Sequence, residues 1–150
     1  MANDHISSNT IVHVGMIVKD IEKTSAAYAT LFGVPTPDIM TTDAVDKAHT
    51  LYRGQSSTAR AKLAFFKMGS IQLELIQPLG RPSTWQDFLD KKGEGVHHLA
   101  FHVAKTEDDI KILAGVGANV VQKGDYTGGN YTYAESEPQL GIILEFLQNA

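Results

Sequence analysis

Two stretches of the chain nearly repeat each other, Leu73-Glu74-Leu75-Ile76-Gln77 and, near the end, Leu144-Glu145-Phe146-Leu147-Gln148. Upstream of each lies a run of strand-forming residues that carries a histidine, His13 in the first case and His98 in the second. The chain therefore contains one module twice, and each copy opens with a histidine strand and closes with a glutamate strand. Such internal repetition fixes the architecture of a domain.

The residues between these landmarks follow a β-α-β-β-β order in both copies. In the first copy, a strand at 11–18 precedes a helix whose apolar residues recur at helical spacing between Asp20 and Gly33. The other predicted elements are strands at 38–42, 61–68, 71–77, 97–103, 119–123, 130–134 and 141–147, a helix at 108–115 and a short helix at 84–91. The sequence therefore predicts an α+β fold of two tandem βαβββ modules.

The chain length and composition bound the possible classes of protein. Its 150 residues suit a single domain over 1–150, with module one at about 10–78, a linker and short helix at 79–94, and module two at about 95–148. The net charge of −4, without a cluster of Lys and Arg, argues against nucleic acid as a partner. The lack of cysteine excludes disulfides, thiolate zinc sites and thiol nucleophiles. With neither a signal peptide nor a membrane span in the sequence, we expect a cytoplasmic protein.

The alternation of side chains along a strand indicates where the repeated polar residues point. His13 shares a strand face with Gly15, and His98 shares one with Ala100, so each histidine adjoins a position with little side chain. Glu74 and Glu145 alternate with apolar neighbours in the same way. We therefore expect all four polar residues on one concave surface, away from the helices.

Two imidazoles and two carboxylates at equivalent positions form a ligand set for one divalent metal ion. A lone strand histidine or glutamate is usually solvated or hydrogen-bonded, and the case for a site depends on the four matched positions. Nitrogen and oxygen ligands without sulfur are compatible with Zn, Ni, Co, Mn or Fe. His97 falls on the helix-packing face, where we expect a buried, hydrogen-bonded ring. His102 shares the face of His98 and either lines the cavity or is solvated.

The long segment at 36–58 is a candidate wall or lid over the site, because loops of this length tend to be functional or mobile. Six further side chains are possible substrate contacts: Tyr52, Arg53, Lys62, Tyr126, Tyr131 and Tyr133. For each of them an ordinary place on the surface or in the core is favoured. Trp85 and Phe88 recur at helical spacing, which favours a place in the core.

Residues 11–148 resemble the vicinal oxygen chelate superfamily, which comprises glyoxalases, bleomycin resistance proteins and dioxygenases. The most specific stretches are 73–80, Phe88-Leu89 and Gly93-Glu94-Gly95-Val96-His97-His98-Leu99-Ala100-Phe101. They are similar to the methylmalonyl-CoA epimerase-like and glyoxalase I-like branch. The resemblance implies a cup-shaped mixed sheet around one metal ion and a homodimer. The implied metal ligands are His13, Glu74, His98 and Glu145.

The chain also departs from the epimerases of this branch. Some of them have a glutamine where Glu74 stands, so the ligand set is closer to that of glyoxalase I. Some use a further carboxylate on the preceding strand, and residues 60–67 contain none. The loop at 127–130 resembles the epimerase glycine pair, but the residues after it are acidic and suit the phosphates of coenzyme A poorly.

The ligand set and the resemblance together predict a metal-dependent isomerase or lyase. It would move a proton α to a carbonyl through a metal-stabilised enolate, with Glu74 and Glu145 as catalytic residues. The substrate would be a small molecule, either an acyl thioester as for methylmalonyl-CoA epimerase or a 2-oxo compound as for lactoylglutathione lyase. One alternative is an Fe(II) extradiol-type dioxygenase using His13, His98 and Glu145. The other is a non-catalytic protein that binds a small molecule such as a drug.

Overall fold

The computed structural model describes residues 4–150 and contains ten strands and five helices among them. The first half comprises β1 (His13–Ile17), α1 (Ile21–Phe32), β2 (Met40–Thr41), α2 (Val45–Ala48), β3 (Leu51–Tyr52), β4 (Gln55–Ser56), β5 (Arg60–Met68) and β6 (Ile71–Leu79). After α3 (Thr84–Lys92), the second half comprises β7 (Gly95–His102), α4 (Thr106–Ala114), β8 (Val120–Tyr126), β9 (Gly129–Ala134), α5 (Glu137–Leu140) and β10 (Ile143–Asn149). The predicted α+β class is confirmed.

Helix α1 begins and ends where the sequence predicts. The Asp20 side chain accepts a hydrogen bond from the backbone N–H of Lys23, which satisfies one of the free amides of the first turn. Gly33 ends the helix in the left-handed conformation with φ 65°, which glycine adopts without steric cost. Helix α3 is capped in the same way by Ser83, which accepts from the N–H of Gln86.

All ten strands form one curled mixed sheet in the order β2-β5-β6-β1-β7-β10-β9-β8-β3-β4. Strand β1 pairs in parallel with β6, as β7 does with β10, and the two halves join where β1 pairs antiparallel with β7. The histidine strand and the glutamate strand of each half are therefore direct neighbours, and the two histidine strands lie at the centre of the sheet. This topology places the predicted ligands on four adjacent strands.

The long segment at 36–58 carries more structure than its sequence indicates. Besides β2, which lies within the short strand expected at 38–42, it contains helix α2 and the β3–β4 hairpin, and β3 pairs with β8 of the second half. A strand of only two residues such as Leu51–Tyr52 is too short to show the alternation that marks a strand, so only its pairing partner reveals it. The segment thereby crosses from one half of the sheet to the other.

Helix α3 packs against β1, β6 and β7 and contributes Trp85 to the core. Phe88 packs against the same cluster, as its helical spacing from Trp85 predicts, and so does Leu89. A second difference from the sequence prediction lies in β8, which continues to Tyr126 although Gly124 indicates a loop. The strand has a glycine at 124 because the ring of Tyr131 occupies the space that a side chain would need. No helix among residues 4–150 is long and apolar enough to cross a membrane.

Candidate metal centre

The strand register places the four predicted ligands in two rows across the centre of the sheet. In one row Gly15 lies between Glu74 on β6 and His98 on β7. In the other row Ala100 lies between His13 on β1 and Glu145 on β10. Each row therefore contains a glutamate and a histidine separated by a residue with little or no side chain.

The small residue in the first row is required by the packing of His98. A Cβ atom at Gly15 would lie 2.5 Å from both ring nitrogens of His98 and nearer still to its Cε1. The His98 ring thus lies directly on the Gly15 backbone, and any side chain there would displace it. Glycine permits this close approach because it has no Cβ.

The two rows bring four donor atoms together. His13 Nε2 lies 3.0 Å from His98 Nε2, 2.9 Å from Glu145 Oε1 and 3.3 Å from Glu74 Oε1. His98 Nε2 lies 3.1 Å from Glu145 Oε1 and 3.3 Å from Glu74 Oε1. All four donor atoms lie within 4.8 Å of one another, and all four residues are buried. The structure therefore brings together every residue that the sequence singled out as a ligand.

These separations match the edges of a coordination polyhedron. Ligand atoms at about 2.1 Å from an ion lie about 3.0 Å apart when adjacent in an octahedron and about 3.4 Å apart in a tetrahedron. The distances of 2.9–3.3 Å between these nitrogens and oxygens lie within about 0.1 Å of this interval. A small divalent ion would therefore fit between the four atoms without a large rearrangement.

Two buried carboxylate oxygens without hydrogen-bond partners also favour a cation at this position. Glu74 Oε1 and Glu145 Oε1 are buried, yet neither accepts a hydrogen bond within the usual limits of distance and angle. Buried carboxylate oxygens without a partner carry a large desolvation cost, so they normally face a donor or a cation. Both oxygens face the two imidazole nitrogens, and a cation between the four atoms would satisfy them together.

Mutual electrostatics hold this cluster partly protonated when no ion is present. Burial alone would lower the pKa of His13, but the neighbouring carboxylates of Glu145 and Glu74 outweigh it and raise that pKa to about 10. Burial likewise acts to lower the pKa of His98, and the same two carboxylates raise it. An ion that binds here must therefore displace a proton.

The carboxylates respond in the opposite direction. Burial would raise the pKa of Glu145, but the charge of His98 and the close contacts of its carboxylate with His13 and His98 lower it. Burial opposes ionisation of Glu74 as well, and contacts with His13 and His98 again lower its pKa. Both glutamates are thus held as carboxylates, the form in which they ligate metals or accept protons.

A cavity of about 460 Å³ opens onto the cluster. Its wall includes His13, Glu74 and Glu145, together with apolar side chains such as Leu63 and Phe65. The long segment at 36–58 contributes Met40, Thr41, Thr42, Asp43, Ala48 and Thr50. Among residues 4–150, the side chains that line this cavity include four carboxylates and no Lys or Arg.

Two tyrosines for which the sequence favoured an ordinary role line this cavity. Tyr133 accepts a hydrogen bond from Trp85 Nε1 at 3.1 Å, and Tyr131 accepts one from Gln122 Nε2 at 3.0 Å. The backbone N–H of Thr84 fixes the Gln122 amide by donating to its Oε1 at 2.8 Å. Alternation along the strand could have predicted that both tyrosines lie on the same side of the sheet as Glu145. It could not have predicted their hydrogen-bond partners, which come from other elements.

Burial raises the pKa of both tyrosines, which keeps their hydroxyls protonated. Because an indole N–H and an amide N–H can only donate, each tyrosine oxygen acts as an acceptor there. The O–H of Tyr133 has no acceptor among residues 4–150. The cavity wall therefore contains a phenolic proton available for a bound molecule.

The remaining candidates are divided between the cavity and other surfaces. His102 and Tyr126 line the cavity. Arg53 instead forms an exposed ion pair with Glu135, while Tyr52 donates to Asp87. Lys62 is absent from the cavity wall formed by the described residues.

His97 is buried and hydrogen-bonded, as its strand face predicts. Its Nε2 lies 3.2 Å from Thr84 Oγ1, and its ring packs edge-on against Phe88 at 5.5 Å between centroids. Burial lowers the pKa of His97, so the ring is neutral. The second histidine of the pair, His98, is the one that faces the cluster.

Comparison with known proteins identifies similar chains. Over 143 residues the chain is 27% identical to the uncharacterized protein YqjC of Bacillus subtilis (strain 168), a match covering 93% of this chain and 92% of that protein. Over 98 residues it is 33% identical to the mitochondrial methylmalonyl-CoA epimerase of Homo sapiens, covering 61% of this chain and 44% of that protein.

A solved structure shares the fold. A single-residue variant of the Streptomyces coelicolor methylmalonyl-CoA epimerase, in complex with 2-nitronate-propionyl-CoA, superposes with a TM-score of 0.65 at 22% identity, covering 96% of each chain. The family model of the glyoxalase, bleomycin resistance protein and dioxygenase proteins matches residues 12–134. That span contains both histidine strands and the first glutamate strand, and it confirms the resemblance seen in the sequence. The chain belongs to the Glyoxalase/Bleomycin resistance protein/Dioxygenase superfamily.

Proposed function

We propose that this chain is a metal-dependent isomerase or lyase of the epimerase-like type, which moves a proton at a carbon adjacent to a carbonyl. The observation that carries the proposal is the convergence of His13, Glu74, His98 and Glu145 within 4.8 Å at the floor of a cavity. The similarity to methylmalonyl-CoA epimerases supports it.

The four residues fit a divalent ion by the chemistry of their donors and by the two carboxylate oxygens that accept no hydrogen bond. When bound, such an ion supplies Lewis-acid polarisation of a substrate carbonyl, which acidifies the adjacent C–H bond. Zn, Ni, Co, Mn and Fe all suit nitrogen and oxygen ligands of this kind. His13 and His98 would hold it from the two central strands.

Glu74 and Glu145 are the groups able to accept and return the proton. Both are held as carboxylates, and they project from β6 and β10 with the two histidine strands between them. In an epimerisation, the C–H proton passes to one carboxylate oxygen and a proton then returns to the opposite face of the same carbon. In an isomerisation it returns to the neighbouring carbon instead. General acid–base transfer of this kind contributes about 10²–10⁴-fold to a rate.

Tyr131 and Tyr133 would orient the substrate. The free O–H of Tyr133 can donate to a substrate oxygen, and the Trp85 N–H on its other side holds the hydroxyl in place. Leu63, Phe65 and Trp85 supply the apolar part of the wall and limit the access of water. The tyrosines therefore act on the substrate rather than on the ion.

The charge of the cavity favours a substrate whose inner part is uncharged. Asp43 and Asp125 add to the two ligand carboxylates, and no Lys or Arg of residues 4–150 faces them. A divalent ion would offset the charges of Glu74 and Glu145, so Asp43 and Asp125 are the groups that would repel a substrate carboxylate lying away from the ion. A 2-oxo compound, or a thioester whose charged portion stays outside, fits these conditions.

Deuterium exchange tests the proposal directly. We expect the metal-loaded chain to exchange the α-proton of a matching 2-oxo compound or acyl thioester in deuterated water, as followed by NMR. The variants Glu74→Gln and Glu145→Gln keep an oxygen donor but lose the base, so the one that carries the proton should slow exchange by about 10²–10⁴-fold. Binding without exchange would indicate a sequestering protein, and oxygen consumption with catechols would indicate a dioxygenase.

We also propose that the chain is a homodimer. Leu31 and Phe32 at the end of α1 are 82% and 60% exposed, and adjacent apolar side chains of this kind are common at interfaces between subunits. Light scattering should give twice the chain mass for the wild type and a lower mass for Leu31→Asp. A wild-type protein that stays monomeric at all concentrations would contradict this.

A further inference from the structure

A β-bulge lies directly beside the candidate metal centre. In the pairing of β7 with β1, His98 lies opposite Gly15 and Val96 lies opposite Met16, so His97 has no partner on β1. A bulge inserts one extra residue and breaks the alternation of side chains, and bulges near functional sites often re-aim a side chain. Here it allows two consecutive histidine rings to contact each other, with 2.8 Å between His97 Nδ1 and His98 Nδ1.

The role of His98 as a ligand dictates the direction of this hydrogen bond. An imidazole that ligates through Nε2 needs its lone pair there, so its proton must lie on Nδ1. His98 Nε2 faces the other three donor atoms, and its Nδ1 faces His97. His98 Nδ1–H therefore donates to His97 Nδ1.

The direction of this hydrogen bond also determines the direction of a second one, between His97 and Thr84. With its Nδ1 as acceptor, the neutral His97 ring carries its proton on Nε2, which lies 3.2 Å from Thr84 Oγ1 and donates to it. Thr84 is the first residue of α3, and its backbone N–H donates to Gln122 on β8. The relay from His98 through His97 thus ends on the linker helix, which the second half of the sheet anchors in turn. Every residue in it is buried.

We infer that His97 is a positioning residue for the metal centre: it fixes the tautomer and the ring orientation of His98 so that Nε2 points at the ion. This inference rests on the proposed metal site. His13 has no equivalent support, because its Nδ1 makes no hydrogen bond to any residue of 4–150. His98 is therefore the anchored ligand and His13 the freer one.

Substitutions at His97 separate hydrogen bonding from packing. Asparagine places its Oδ1 near the position of the histidine Nδ1, so His97→Asn keeps an acceptor for His98. Phenylalanine keeps the ring that packs on Phe88 but has no acceptor. Glutamine extends its amide toward the position of Nε2 and Thr84, which leaves His98 Nδ1–H without an acceptor. The affinity for Zn²⁺ should therefore fall in the order wild type, Asn, then Gln and Phe.

The measurement is the Zn²⁺ dissociation constant of the full chain, obtained by competition with a chelator at fixed pH. We expect His97→Phe to weaken binding by about 10–100-fold, the range that loss of an orienting hydrogen bond to a metal-ligating histidine typically costs. His97→Asn should recover most of that loss. Phe88→Leu is the packing control: it should lower the melting temperature of the metal-free chain and leave the dissociation constant within about twofold.

Each outcome supports or overturns the assignment. Equal Zn²⁺ affinity for wild type and His97→Phe would overturn it, and so would equal weakening in His97→Asn and His97→Phe, because packing alone would then be responsible. Should His97→Phe fail to fold, the order of His97→Asn and His97→Gln decides the matter in the same way. A wild-type chain that binds no ion would overturn the proposed function together with this inference, whereas a failure at His97 alone leaves that function intact.

Discussion

The two histidines that the duplication makes equivalent are held in different ways. His98 is fully buried on the Gly15 backbone, and its second nitrogen contacts His97. His13 lines the cavity, packs edge-on against Phe65 and has no partner on its second nitrogen among residues 4–150. One half of the protein thus contributes a histidine with contacts on both ring nitrogens, and the other contributes a histidine that faces the cavity.

This difference shows how two copies of a module can keep the same predicted ligands and yet hold them in different ways. The two rows have the same order of glutamate, small residue and histidine, but the first has Gly15 where the second has Ala100. Glycine admits the ring of His98 to van der Waals contact with the backbone. His97 of β7 is left unpaired by the bulge, whereas all of His13–Ile17 in β1 are paired with β7, so the hydrogen bonds around the candidate metal centre differ between the two halves.

The largest expected effect comes from exchanging the small residues of the two rows. Gly15→Ala places a Cβ 2.5 Å from both ring nitrogens of His98, so the ring must leave its position. We expect Zn²⁺ affinity to fall at least about 100-fold, the upper end of what misplacing a ligand through its surroundings costs. The measurement is chelator competition, with circular dichroism to show that the variant folds.

Ala100→Gly is the matched variant in the other row. It removes a methyl group without creating a clash, so we expect a loss of stability of about 0.5–1 kcal/mol and little change in Zn²⁺ affinity. Similar affinities for the two variants would contradict the difference between the rows.

The pH dependence provides a second test, in which the stability of the metal-free chain and its affinity for Zn²⁺ should change in opposite directions. The folded His13 has a pKa of about 10 against an ordinary 6.5, so the folded state binds more protons than the unfolded state between these values. The stability that His13 contributes is complete below pH 6.5 and is lost as the pH rises toward 10. The two glutamates have lowered pKa values, and their contribution is lost as the pH falls below 4.5.

Chemical unfolding at several pH values checks this prediction. The metal-free chain should become less stable from about pH 6.5 to about pH 10, whereas Zn²⁺ affinity should rise over the same interval because the ion displaces the His13 proton. In the metal-free chain, His13→Gln should reduce this loss of stability between pH 6.5 and pH 10. A metal-free chain whose stability increases through this interval would refute the assignment of the proton to His13.

The smallest expected effect is on the activity of variants in the tyrosines that line the cavity. Tyr133→Phe removes one O–H that we assign to the substrate, so kcat/KM should fall by about 2–10-fold, the equivalent of one neutral hydrogen bond. Zn²⁺ affinity should not change. Tyr126→Phe is the control, because the Tyr126 hydroxyl already donates to Asn149 at 3.2 Å. Equal losses of activity in the two variants would argue against a specific role for Tyr133.

The sequence was sufficient to predict what depends on local pattern and repetition. The bounds of α1 at Asp20 and Gly33 follow from helix start and stop signals. The histidine and glutamate strands and the convergence of the four polar residues follow from alternation within strands and from the equivalence of the two halves. The parallel pairing of β1 with β6 then brings Gly15 beside Glu74.

The features that the sequence did not predict depend on contacts between distant segments. The strand β3 exists because β8 offers it a free edge, and the hydrogen bonds of Tyr133 depend on where α3 places Trp85. The bulge at His97 is equally non-local, since a register shift is a property of two strands and leaves no mark in one of them. Sequence alternation therefore identified the ligands but not the residues that hold and surround them.

The most direct test of the candidate metal centre is a crystal structure of the chain loaded with Zn²⁺ or Co²⁺, with the ion located by anomalous scattering. We expect one ion per chain, at about 2.0–2.2 Å from Nε2 of His13 and His98 and from one oxygen each of Glu74 and Glu145. An ion bound elsewhere, or four side chains that stay in contact without an ion at saturating metal, would contradict the proposed metal site.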